Sequence, residues 1–453
     1  MPTSQLGLAT VGGTALSSAT GTGVTLDMST VQNGLKELYD RASWLTALYE
    51  HDGLFTRMPK FENFTGSYYP VLCQYAPNSR RSQDFGRAQD NTSSFEMTKF
   101  LVHRVRDYAF ATLDSEAILA SRGDAGAFAS YLDVEISGAR YALRRSLSRS
   151  VYGDGTGKIG VIQVSTPGSG TTVIELSQAS DIVNFEVGMV LECILGADVG
   201  TPTQSGATLT VTAVDRENGK FTATTPVFDT DNSVCGGGIG RLFAQGDSAA
   251  AAASHRRMSG VDAWLPATAP TSGDSFFGVD RSTDVTRLAG HRFTGVTTDV
   301  FHSFVSANER LGREGAKPDH IFCDYTTYTG LMKESSSGGG TGTGTMTLPT
   351  NKGLKVDIGY GKTLELGFTG IVIHMPTGPI TVVPDADCPA NTAYMLKLSD
   401  WELASLGMCP QILDLDGNGS LRISNRDSME VRLGAYSNVI CRNPGNQSRI
   451  DFS

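Results

Sequence analysis

The longest helical period in the chain lies between about Asp124 and Tyr152. Phe128, Leu132, Ile136, Ala139, Leu143 and Leu147 recur there at i, i+4, i+8, i+11, i+15 and i+19, which puts them on one stripe of a helix. About 29 residues at ~1.5 Å each predict a rod of ~43 Å. Upstream, Leu35, Leu38, Leu45 and Leu48 predict a shorter helix from about Thr30 to Tyr49. Between the two helices the pattern becomes that of strands. Gly66–Tyr75 and Phe95–Phe110 read as long strands around a polar tip, Ala76–Thr92, which carries Arg80, Arg81, Asp84, Arg87 and Asp90. A two-stranded hairpin buries little within itself and is marginal alone, so this one is expected to lie across another surface. Residues 1 to about 30 are mostly Thr, Ser, Gly and Ala with almost no charge. Such a segment makes no core; it is either a tail or an arm that orders against a neighbour.

Beyond the long helix, residues 157–246 alternate as short strands: Gly160–Val164, Thr172–Leu176, Met189–Leu195, Thr208–Val214 and Lys220–Thr225, the last two joined through Glu217-Asn218-Gly219. Short strands with regular turns predict a small barrel or sandwich. An alanine run, Ala249–Ala253, leads into a mixed region. Val300, Phe301, Phe304 and Val305 mark a helix to Leu311, Ile321–Cys323 a buried strand, and Tyr325–Lys333 another helix. Ser335–Thr345 is a low-complexity Gly/Ser/Thr loop. Leu364–Ile373 and Tyr394–Leu406 return to sheet, and two strands around Glu430 and Val439 close the chain.

Composition narrows the class. Of the 453 residues, 40% are hydrophobic and 19% charged, as in a globular chain of two or three domains. The 52 glycines suit a turn-rich α+β protein. A net charge of −10 repels phosphate at long range and disfavours whole-surface nucleic-acid binding. The seven cysteines are odd in number and widely spaced, which predicts reduced thiols packed as small hydrophobes. No signal-peptide pattern and no run of 18 apolar residues is seen, so synthesis and assembly in a cytoplasm are expected.

Candidate chemistry is sparse. Gly153-Asp-Gly-Thr-Gly157-Lys158 fails as a phosphate loop, because Tyr152 stands where the first glycine belongs and Ile159 where Ser or Thr should hold magnesium. Asp414, Asp416, Asn418 and Gly419 match the start of a calcium loop, but Asn425 replaces the bidentate Glu; a polar turn between strands is the plainer reading. The seven histidines form no metal-binding pair, and no G-x-S-x-G elbow occurs. Arg140, Arg144, Arg145 and Arg149, off the apolar stripe, read as a solvated helix face or as a contact for an acidic protein or DNA. No catalytic, cofactor or metal residue is assigned.

The order of pieces resembles the tailed-bacteriophage major capsid proteins with the Hong Kong 97-like fold. Ser150-Val-Tyr-Gly-Asp-Gly-Thr-Gly157 resembles the family's turn after its spine helix, and Gly260-Val-Asp-Ala-Trp-Leu265 its re-entry segment. Lys317-Pro-Asp-His-Ile-Phe322 resembles a helix-to-strand passage. Asn391-Thr-Ala-Tyr-Met-Leu396, Trp401-Glu-Leu403 and Asn438-Val-Ile-Cys-Arg-Asn-Pro-Gly445 resemble the closing body. The resemblance covers nearly the whole chain. It implies an N-terminal arm and short helix (1–57), an extended E-loop hairpin (58–110), a spine helix of the peripheral domain (111–156), an inserted β-barrel-like domain (157–247), a return segment (248–274), an axial domain (275–375) and closing strands (376–453). The implied function is a structural subunit that assembles as pentamers and hexamers into the icosahedral head of a virion around double-stranded DNA, without sequence-specific binding. Its implied partners are itself, a separate scaffolding protein, a portal and a decoration protein. Arg80, Arg81, Asp84, Arg87 and Asp90 would make inter-subunit contacts, while Phe128, Leu132, Ile136, Leu143 and Leu147 form the spine-helix core stripe. The tip has no lysine; Lys60 and Lys99 sit at the hairpin base, so the covalent cross-link of some relatives is not expected. The rivals are an encapsulin-like nanocompartment shell, a calcium-binding β-rich surface adhesin and an unidentified hydrolase.

Overall fold

Strand pairing sorts the chain into a hairpin and three principal sheets. The computed structural model describes residues 53–78, 81–91, 95–115, 131–163, 172–195, 208–224, 240–247, 257–336, 354–356, 371–413, 421–423 and 425–452. The predicted helix of residues 30–49, Arg80, Phe128, the alanine run 249–253 and the Asp414–Gly419 turn lie outside them.

The segment expected as one strand from Phe95 to Phe110 is two. Glu96–His103 pairs with Tyr68–Ala76, and Val105–Asp114 pairs with Ser428–Cys441 in a different sheet. The break falls at Arg104, whose guanidinium donates to the Phe64 carbonyl, while Asn438 Nδ2 donates to His103 O at 2.7 Å. These two polar contacts turn the chain out of the hairpin, and apolar period alone carries no trace of them.

Val105–Asp114 and the 14-residue strand Ser428–Cys441 form the centre of a six-stranded platform sheet with Trp401–Ser405, Gln411–Ile412, Leu421–Arg422 and Lys60–Phe61. The two closing strands expected around Glu430 and Val439 are therefore one continuous strand. A further strand, Ser448–Phe452, was not anticipated. Tyr394–Leu406 also divides, into Thr392–Leu396 and Trp401–Ser405, which belong to separate sheets.

The long helix is described over Tyr131–Tyr152, so its 22 residues span ~33 Å. Leu143, Leu147 and Val151 are buried in the main core, and Ile136 and Ala139 pack on Ala111 and Val431 of the platform. Val431, Leu433 and Ala435 alternate toward the helix, as a half-buried antiparallel strand requires.

The seven-stranded sheet runs in the order His291–Gly295, Ser448–Phe452, Thr392–Leu396, His320–Cys323, Gly378–Pro384, Ile371–Met375, Leu354–Val356. Helix Val300–Arg313 lies on it through Val300, Phe304, Ala307 and Leu311. Asp299 starts this helix by accepting from His302 N at 3.1 Å, a cap worth about 1 kcal/mol. Gly315, at φ +83°, follows its end.

Residues 158–244 form their own six-stranded sheet, in the order Lys158–Val161, Gly240–Ala244, Val190–Leu195, Leu209–Asp215, Lys220–Ala223, Val173–Glu175. This β module has a separate interior, including Ile174, Phe185, Leu191, Phe221 and Leu242. Phe185 and Phe221 stack at 4.8 Å. In the Glu217-Asn218-Gly219 turn, Asp215 accepts from the backbone N–H of Glu217 and Asn218, and Gly219 takes φ +65° against Ala179. One expectation fails here: Cys193, on a central strand of the module, is disulfide-bonded. Its spacing to the other cysteines gave no framework cue. Five other cysteines, Cys73, Cys323, Cys388, Cys409 and Cys441, are free, and all but Cys409 are buried.

Candidate interaction surface

The hairpin presents two chemically different faces. Alternation along Tyr68–Ala76 and Glu96–His103 turns Val71, Cys73, Phe100 and Val102 inward, where they join the main core. Phe100 meets Trp264 edge-on at 5.1 Å and Phe276 at 6.3 Å. Its neighbour Leu101 donates its N–H to Phe277 O at 3.0 Å, and Arg287 Nη1 reaches Tyr75 O at 2.5 Å. The hairpin is thus anchored on its own chain along one face, which differs from the expectation that it has little to bury except on a neighbour. The anchor is the tight turn Ser275–Asp280. There Phe277 sits at φ +47° and Gly278 at φ +83°, and the Phe277 ring also packs on His103 at 5.3 Å. Phe-Phe-Gly is a legible turn signal, but nothing in it names the hairpin as its partner.

Among the described residues nothing covers the outward face. Register places Pro70 opposite Leu101, Leu72 opposite Lys99 and Gln74 opposite Met97. Tyr68, Leu72, Met97 and Leu101 are 58%, 63%, 49% and 40% exposed, and Phe95 and Phe85 continue the apolar row toward the tip. One exposed apolar residue is ordinary, but several on one face of a hairpin make a candidate interaction surface.

The tip is more structured than its polar composition predicts. Phe85–Asp90 forms one short helix capped by Asp84, whose Oδ1 accepts from Arg87 N at 3.1 Å. Asn91 Nδ2 closes the loop on Arg81 O at 3.2 Å. Arg81, Asp84, Arg87 and Asp90 are brought to one exposed end of the hairpin, so Asp84 has a local role besides any contact. At the tip-side end of the strands, Tyr75 donates to Glu96 Oε2 at 2.5 Å; that bond raises the phenol's pKa, with desolvation and the Glu96 charge adding to it.

Of the core stripe, Leu143 and Leu147 are buried and Ile136 is half-buried. Phe128 lies outside the described residues, as does the side chain of Leu132. Arg145 and Arg149 leave the stripe toward the β module, while Arg140 faces solvent. Among the described residues no cluster of His, Cys, Asp and Glu could hold a metal ion, and no helix is long and apolar enough to cross a membrane.

No protein-family model matches the sequence, and no curated protein matches it. Among solved structures, the chain is similar to a chain of the cyanophage A-1(L) capsid asymmetric unit, at 11% identity over 92% of this chain and 96% of that one, with a TM-score of 0.47. It is similar to a chain of Mycobacterium phage Cain at 10% identity over 94% and 98%, TM-score 0.42. It is also similar to a capsid chain of an empty GTA particle at 9% identity over 88% and 95%, TM-score 0.36.

Proposed function

We propose that this chain is the major capsid protein of a tailed phage, with a Hong Kong 97-like fold. It assembles as pentamers and hexamers into a head that encloses double-stranded DNA. The observation that carries this reading is the hairpin, with one face seated on its own body and an uncovered apolar row on the other. A second copy of the chain is the partner that such a surface fits, because a repeated head-to-tail contact closes rings. The succession of hairpin, long helix on a platform, β module and α/β body supports the reading, as does an acidic composition suited to a wall that does not grip DNA. In these terms residues 58–110 are the extended loop, 111–156 the spine, 157–247 the inserted domain, and 275–375 the axial domain. A separate scaffolding protein, a portal and a decoration protein are the expected partners, and assembly proceeds in the host cytoplasm.

The tip residues Arg80, Arg81, Asp84, Arg87 and Asp90 set the register of neighbouring copies, since exposed mixed charge determines placement more than affinity. Negative-stain microscopy of the purified protein, with and without a scaffolding protein, tests the function. Closed shells or rings are expected, and a monomer under every condition refutes it. Charge reversal at Arg81, Asp84, Arg87 and Asp90 together is expected to lower particle yield; unchanged yield removes the tip from the contact.

A further inference from the structure

The β module and the body meet around a cavity of about 810 Å³ that polar contacts span, and their hydrophobic core clusters are separate. No residue of the module's interior belongs to the main core cluster. The cavity is lined by the last turns of the long helix, including Tyr141, by module residues including Asn184, Glu186 and Met189, and by the Ala386–Pro389 turn.

Ion pairs and hydrogen bonds span this joint. Arg145 Nη1 of the helix meets Glu186 Oε1 of the module at 2.5 Å, and Arg149 Nη1 reaches Asn184 O at 3.5 Å. Arg257 ties the module's exit to the body. Its Nε donates to Asp247 Oδ2 at 2.8 Å, and its Nη1 meets Asp107 Oδ2 at 2.7 Å and Ser146 Oγ at 3.0 Å. Burial opposes the Arg257 charge, but Asp107 and Asp247 outweigh it and hold the guanidinium above its usual range. Burial pushes Arg149 down to about 10, because the nearest carboxylates, Asp387 and Glu186, only partly offset its desolvation and Arg145 adds repulsion.

We propose that the β module is a rigid body that swings against the long helix, held closed by an electrostatic clasp of Arg145–Glu186 and Asp247–Arg257–Asp107. A packed interior is bistable and stiff, whereas a joint of ion pairs around an open cavity has a shallow barrier and is screened by salt. Glu186 is 53% exposed, so its pair yields first to screening, and the more enclosed Arg257 group follows. The module keeps its own fold as it swings, because its sheet and core, among the described residues, contain no residue of the body. The clasp thus sets the angle at which each subunit offers the module to its surroundings.

Hydroxyl-radical footprinting of the full-length protein, read by mass spectrometry at Tyr141 and Met189, tests this. Raising salt from about 0.1 M to about 1 M shortens the screening length from ~10 Å to ~3 Å. Severalfold more labelling of both residues is expected, with Phe221 in the module core and Phe304 in the body core unchanged. The double variant Glu186→Gln/Arg257→Gln is expected to show the high-salt labelling already at low salt. Arg216→Gln, which removes the partner of Glu186 at 2.7 Å within the module itself, should leave the wild-type pattern. Labelling of Tyr141 and Met189 that is indifferent to salt and to the double variant overturns the proposal. So does labelling that rises only together with Phe221, because the module would then be unfolding and not swinging.

Discussion

Leu72 and Leu101 provide the sharpest test of the uncovered hairpin row. Both side chains are at least 40% exposed in the protomer, so changing them costs the folded chain less than emptying a core site. Full burial of a leucine is worth about 1.5–3 kcal/mol. Leu72 retains 63% of its surface to bury and Leu101 retains 40%. The pair therefore contributes about 1.5–3 kcal/mol to a contact that covers them, or roughly 10- to 150-fold in the association constant of one interface. Leu72→Ala/Leu101→Ala removes this area without adding charge, and Leu72→Asp adds the further cost of desolvating a carboxylate. Sedimentation velocity across a concentration series measures the fraction of protein in particles, and thermal melting of the unassembled chain measures its stability. The expected result is an unchanged melt, a critical concentration for assembly raised at least tenfold in the double-alanine variant, and no particles with Leu72→Asp. Shells that form at the wild-type concentration in all three proteins would refute the assignment of this face to a neighbour.

On the inner face, Phe100→Ala removes the ring that meets Trp264 and should cost about 3–5 kcal/mol, releasing the hairpin from its anchor; amide exchange in Tyr68–Ala76 reports the release. In the module, burial raises Asp181 from 3.8 to about 6, with Lys158 working against the shift. The folded state therefore binds this proton more tightly than the unfolded state, so stability falls as pH rises from about 4 through 6, by at most ~3 kcal/mol. Asp181→Asn should raise the module's melting temperature at pH 7 and leave it unchanged near pH 4; equal melts at pH 7 contradict the assignment. Reduction of the disulfide at Cys193 should destabilise the module by about 2–4 kcal/mol while the transition of the body stays in place, which calorimetry with and without reductant resolves.

What could be read from the sequence follows the range of the forces involved. The stripe through Leu143 and Leu147, the module strands and the helix at Val300 are written in local period, because each buries one face against whatever lies below it. Strand identity was harder. Val105–Asp114 continues the apolar run of Glu96–His103 without a turn residue, and it changes sheets only because Phe64 and Asn438, distant in sequence, engage Arg104 and His103. Gly240–Ala244 and Ser448–Phe452 were missed for a related reason: their sheet partners, at residues 158–161 and 190–195 and at 291–295 and 392–396, are far away along the chain. The charged tip was visible as composition, but the cap at Asp84 that organises it was not. The outer apolar row was hidden altogether, since Val71 and Leu72 are equally apolar and only the packing of Phe100 on Trp264 decides which of them is left exposed.

For the assembly proposed above, that division of faces bears on how it can proceed. A free two-stranded hairpin would lose its conformational entropy at the moment of docking, and each contact would be weakened accordingly. Here folding has already met that cost, because Val71, Cys73, Phe100 and Val102 are held in the protomer's own core and Phe277 fixes the strand at Leu101. The outer row is therefore presented on a stiffened strand pair, and association need only remove apolar surface from water. Contacts of this kind can stay individually weak, as closure of rings requires if misplaced subunits are to leave, and still give a stable particle when each subunit makes several of them at once. The anchored face and the exposed face are then two halves of one device, and loosening the first by Phe100→Ala should impair assembly even though Phe100 itself touches no neighbour.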